Sequence, residues 1–196
     1  MVNTYFRLTE RRRLIESAGI RLISPHYVGT NVESLSLPAE VSSAFHMDWD
    51  TVIFDAGGDP AGATALGRFH GDFAALPEDS LSVLNVVNVR RPMTGTAQRI
   101  VTLMDDMQGA SRLSVTGLVN NTNLARETAA AELWAGYEVL RAVSEDSGIP
   151  VLYTAGNRRV LAEFLAGAPE PRYVGEPLEI ETHMHRDWDT YVRQGL

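Results

Sequence analysis

The chain carries one stretch in which an acid is followed at once by flexible residues: Thr51-Val-Ile-Phe-Asp55-Ala-Gly57-Gly58-Asp59-Pro-Ala-Gly62. Where a strand of an open α/β sheet ends at the ligand crevice, a carboxylate such as Asp55 can hold hydrated Mg²⁺. The N–H groups of Gly57 and Gly58 can approach a phosphate at the same place. The same residues also read as a strand closed by an ordinary glycine turn. Asp59 is placed to cap the next helix. Further along, Arg90-Arg91 could meet an anion or a partner protein, or else pair with Asp105 or Asp106. His183, His185, Asp187 and Asp189 alternate as on one face of an extended segment. They read either as a metal set with only two imidazoles or as a solvated acidic tail.

Positioning such residues requires a layered α/β frame, and the pattern of the chain predicts one. Thr51 to Phe54 is β-branched and aromatic, as strands are. The runs Ser82 to Val89 and Leu113 to Val119 alternate too little for half-exposed strands and read as buried on both faces. Short strands are also expected at Ile20 to Ser24 and Val151 to Thr154. Helices are expected from Thr9 to Ala18, Pro38 to Phe45 and Pro60 to Phe69. Beyond these, Ala97, Val101, Met104 and Met107 form one apolar stripe, and Leu133, Tyr137 and Leu140 form another behind a Thr128 cap and before Gly148 and Pro150. Arg158 to Leu165 gives a last helix, Ala168 to Glu176 a Pro/Gly/Glu-rich connection, and Leu178 onward an acidic tail with a short strand. This alternation predicts one domain of α/β class, three-layered, with a mostly parallel sheet of five or six strands.

Composition narrows the chemistry. A chain of 196 residues, 44% apolar, can bury a full core. No apolar run is long enough for a membrane span and the opening residues do not form a signal peptide, so a cytoplasmic protein is expected. Without cysteine there is no disulfide, thiolate nucleophile or cysteine-ligated metal. A formal charge of −8 speaks against a nucleic-acid partner. All 17 basic residues are arginine, so a lysine-bearing phosphate loop, a Schiff-base lysine and a lysine base are excluded within this chain. No histidine accompanies a nucleophile elbow, and no glycine fingerprint of a dinucleotide fold follows a strand, which weighs against an unrelated Rossmann-like enzyme.

Taken in order, these motifs resemble the ParA/MinD-like branch of the P-loop NTPases. Thr51-Val-Ile-Phe-Asp55-Ala-Gly57-Gly58 is similar to that family's Walker B strand and switch II. Gly117-Leu-Val-Asn120-Asn121 resembles the strand end at which an asparagine reads adenine, and Gly148-Ile-Pro-Val151 resembles the next segment beside the base. Val2-Asn-Thr-Tyr-Phe-Arg7 resembles the segment just beyond the family's second strand. The resemblance spans about residues 2 to 166 and covers the family's distal two-thirds. It implies an ATP·Mg²⁺ site with Asp55 beside the metal through water, Gly57 or Gly58 facing the terminal phosphate, and Asn120, or Asn121 as the alternate, at the adenine.

The resemblance also implies that a first strand, the phosphate loop with its lysines and a first helix belong before residue 2. Met1 is then an internal start, or the chain borrows the missing strand from a partner or another copy. A homodimer or protein partner is implied as well, though not through the family's cross-dimer lysine. Without the phosphate grip the chain is expected to be a poor ATPase or none. The competing expectation is a non-catalytic interaction module on a degenerate NTPase fold.

Overall fold

The computed structural model describes residues 11–23, 39–77 and 79–181. By its internal contacts the chain forms two compact units, Met1–Leu81 with Asp106–Ser114, and Ser82–Asp105 with Val115–Leu196.

In the first unit α1 (Arg12–Ser17), α2 (Ala39–Ser43), α3 (Pro60–Gly67) and α4 (His70–Ala74) are short. The expected first helix is thus reduced to α1 among the described residues, and the expected Pro60 to Phe69 helix breaks after Gly67 and resumes as α4. Ile20 to Ile23 has no regular structure. Thr51 to Phe54 is not the strand its residues predict: it runs without regular structure, and Ile53 is 86% exposed. A strand needs a neighbour to satisfy its backbone, and none of the described residues pairs with this run. It is anchored instead by Phe54, whose ring stacks on Phe45 at 5.1 Å and meets Phe73 edge-on at 5.2 Å.

The second unit holds the sheet. β1 (Leu84–Val87), β2 (Gly117–Asn120), β3 (Val151–Gly156) and β4 (Glu176–Glu179) form a four-stranded, all-parallel sheet in the order of the sequence. The fold is therefore α/β as expected, with four strands among the described residues instead of five or six. Three crossovers carry helices: α5 (Ala97–Ser111), α6 (Ala130–Ser147) and α7 (Arg158–Ala166). Sequential parallel neighbours joined by right-handed crossovers set their helices on one face, and the core agrees. Ile100 and Met104 of α5 meet Leu140 and Val143 of α6 over Val87, Leu118 and Val151. Leu133 and Tyr137 of α6 meet Val160, Leu161 and Phe164 of α7.

Register fixes which residues face that layer. Val87, Leu118 and Asn120 point to the helices, while Leu84, Val86 and Val119 point to the other face. β1 is consequently not buried on both faces as its composition suggests: Leu84 is 41% and Val86 58% exposed. The expected Ala168 to Glu176 connection holds a 3₁₀ turn, Pro171–Tyr173, that buries Tyr173 and Val174 against α6 and α7. Thr154 Oγ1 donates to the Val174 carbonyl at 2.7 Å and pins this turn to β3.

Candidate functional site

Chemistry-bearing residues gather in two places, one in each unit. In the first, Asp59 accepts the Gly62 N–H at 2.8 Å and caps α3, with Pro60 at the first helical position. Asp55, Gly57 and Gly58 precede this cap on exposed, irregular chain. Gly62 is required for close packing, because a Cβ there would drive into the backbone of Gly57. Asp55 thus presents its carboxylate at the surface beside a tightly folded glycine turn. Among the described residues no group of three histidines or acids is placed to hold a metal. Were a metal held here, Asp55 would offer it a single exposed carboxylate. His183, His185, Asp187 and Asp189 lie outside the described residues.

In the second unit the carboxyl ends of β1, β2 and β3 each run into an asparagine, and these tie the loops together. Asn88 Nδ2 donates to the Asn123 carbonyl at 3.1 Å, and its Oδ1 accepts the Arg90 N–H at 3.0 Å. The Val89 N–H donates to Thr122 Oγ1 at 3.3 Å, and Asn123 Nδ2 donates to the Asn121 carbonyl at 2.8 Å. Asn157 Oδ1 accepts the Val160 N–H at 3.0 Å and caps α7. Such Asx turns fix loops without a regular backbone ladder. Asn88, Asn123 and Asn157 are not among the residues that the sequence motifs single out. The signal that would find Asn88 and Asn157 is the strand-then-asparagine pattern at Val87-Asn88 and Gly156-Asn157, repeated at Val119-Asn120.

Asn120 and Asn121 have separate situations. Asn120 is 1% exposed, its Nδ2 donates to the Leu133 carbonyl at 3.0 Å, and its Oδ1 accepts the Thr122 N–H at 3.2 Å. Gly136 on α6 makes the room: a Cβ there would collide with Asn120 Oδ1 and Thr122 Oγ1. The Asn120 amide therefore joins β2 to α6 and is used up inside the fold. Asn121 is partly exposed, and its N–H is held by the Val87 carbonyl at 2.8 Å.

The cation at this end is not free to act alone. Arg90 Nη2 meets Glu132 Oε1 at 3.2 Å, so its partner is on α6 and is neither Asp105 nor Asp106. Glu132 Oε2 also accepts the Ala129 N–H at 2.9 Å. This bond, with Arg90 assisting against partial burial, holds the carboxyl below its ordinary value. The expected Thr128 cap is displaced by one residue. Ala129 stands at the helix entry, while Thr128 Oγ1 accepts the Leu124 N–H and donates to the Ala125 carbonyl, closing a 3₁₀ turn. Arg91 is exposed.

The amides and hydroxyls at the sheet's carboxyl end chiefly tie the loops together, and beside them stands one ion pair whose Arg90 side chain is 42% exposed. The unit belongs to the class of all-parallel α/β domains, with asparagine-bearing loops at the carboxyl ends of the strands. No family model, curated protein or solved structure matches the chain.

Proposed function

We propose that this chain is a nucleotide-binding domain of the ParA/MinD-like kind, taking ATP with Mg²⁺. The observation that carries the reading is that Asn88, Asn121 and Asn123 are tied together, with Asn157 at the next strand's end, on the carboxyl side of an all-parallel sheet, the side on which open α/β folds take ligands. The order of the Asp55 and Asn120-Asn121 motifs along the sequence supports it. In this reading the partly exposed amide beside the adenine is Asn121, because Asn120 is engaged by α6. The sequence resemblance alone assigns Asp55 to the hydrated metal and Gly57 and Gly58 to the phosphates. Hydrolysis is slow or nil by this chain, since no lysine among its 196 residues neutralises the phosphates.

A titration of Mg·ATP followed by amide NMR tests this. Saturable shifts at Asn121, Asn123 and Asn157 are expected, with no such shifts from free triphosphate. Silence up to about 10 mM, which excludes any site worth more than ~3 kcal/mol, overturns the reading.

A second reading, a non-catalytic interaction module, is favoured by a different observation. Among the described residues β1 is an edge strand with half-exposed apolar side chains, the form a binding edge takes. Absence of nucleotide shifts together with saturable protein binding at β1 would select it.

A further inference from the structure

The two edges of the sheet are built differently. β4 closes one side with Glu176, Pro177 and Glu179, an acidic, proline-bearing edge of the kind that resists pairing. Among the described residues β1 closes the other with Leu84-Asn-Val-Val87, which has neither charge nor proline and leaves Leu84 41% and Val86 58% exposed. An edge without such protection is ready to accept a further strand. The chain itself carries a segment suited to it. Thr51-Val-Ile-Phe54 is as long as β1, uncharged and rich in strand-forming side chains, and it has no ladder partner among the described residues. Val52 is 42% and Ile53 86% exposed, while Phe54 fixes the end of the run in its aromatic cluster.

We infer that two copies of this chain associate by pairing the Thr51–Phe54 run of one copy with the open edge of β1 in the other. Main-chain hydrogen bonds then satisfy two rows of unpaired groups, and Ile53 and Val86 lose their exposure together. The occupant is a second copy because the complement to the edge is encoded in the same sequence. Charge supports the same choice. Copies with a formal charge of −8 repel one another, but neither run carries a charge of its own, and the acids flanking the first, Asp50 and Asp55, are opposite in sign to Arg90 and Arg91 just beyond the second. Such a contact joins unlike surfaces, so it closes as a reciprocal dimer or continues as a chain of copies. The inference stands apart from the nucleotide reading and holds whether or not ATP binds.

Light scattering coupled to size exclusion, run on the full chain across a concentration series, tests it. A dimer or longer assembly is expected, tightening as salt screens the acidic copies. Ile53→Glu and Val86→Glu should each weaken association by on the order of tenfold or more, since each buries an unpaired charge in the junction. Both side chains are exposed in the single copy, so unchanged far-ultraviolet circular dichroism and melting temperature confirm intact folding. Mixing the two variants supplies one intact run and one intact edge, and should restore a heterodimer with a single junction. A monomer at every concentration overturns the inference, as does an assembly indifferent to either substitution. Sensitivity to Val86→Glu alone also overturns it, because edge-to-edge pairing of β1 would need no Ile53.

Discussion

Asn120 uses both ends of its amide inside the fold, donating to the Leu133 carbonyl and accepting the Thr122 N–H, at 1% exposure. Removing a buried amide leaves its partners unsatisfied, so Asn120→Ala should lower stability by about 2–3 kcal/mol, read by denaturant or thermal unfolding. Were Asn120 chiefly a base reader, the same variant would keep its stability and lose only nucleotide shifts. Gly136→Ala attacks the contact from the other side: its Cβ has no room beside Asn120 and Thr122, and a loss of at least ~2 kcal/mol is expected. Glu132 gives a pH signature. Its folded pKa lies below the unfolded one, chiefly through the Ala129 N–H, so its contribution is complete above the ordinary carboxylate range. That contribution disappears as pH falls through the lowered folded value. The difference in melting temperature between Glu132→Gln and the parent chain should therefore be steady at neutral pH and begin to shrink below roughly pH 4. A difference that grows on acidification would contradict the assignment.

Two left-handed glycines separate what an element's end needs from what its packing needs. Gly148, at φ 73°, closes α6 with open space around it, and Gly175, at φ 66°, sits where a Cβ would strike the backbone of Leu152. Gly148→Ala should cost about 1 kcal/mol in stability, the backbone penalty alone. Gly175→Ala adds a collision with chain that cannot move aside, and should fall in melting temperature by far more; equal effects would refute the packing argument. Helices are the legible elements, because their signal is local. The stripe Leu133, Tyr137, Leu140 is buried as its spacing predicts, and α6 ends at Gly148. Strands are legible only where a neighbour exists. Thr51 to Phe54 has the residues of a strand and no partner among the described residues to make it one. The exposure of one face of β1 is equally hidden in Leu84-Asn-Val-Val87, since composition does not say which strand of a sheet lies at its edge. The candidate site shows the same division. Asp59 as a cap can be read from its sequence neighbours. The burial of Asn120 depends on Gly136 across a crossover, a contact that no local pattern announces.

Across the whole molecule, stability should be graded from the middle of the sheet outward. Every residue of β2 is buried and lies between β1 and β3, and β3 is in turn flanked by β4 and covered by α6 and α7. Backbone N–H groups there reach solvent only if the sheet itself comes apart. The chain from Thr51 to Gly58 has exposed residues and no backbone hydrogen bond to any described residue, so its amides need no opening reaction of that size. Native-state hydrogen exchange should consequently find the slowest amides in Gly117–Asn120 and Val151–Gly156, exchanging at the rate of global unfolding. Those of Thr51 to Gly58 should exchange close to the free-peptide rate when the chain is dilute. The same experiment repeated at high concentration connects this gradient to self-association. If a second copy's β1 captures the run, protection should rise at Val52 and Ile53 and at Leu84 to Val87 together, while the centre of the sheet, already limited by global unfolding, changes little. Protection rising at β1 without Val52 and Ile53 would mean that some other surface covers that edge.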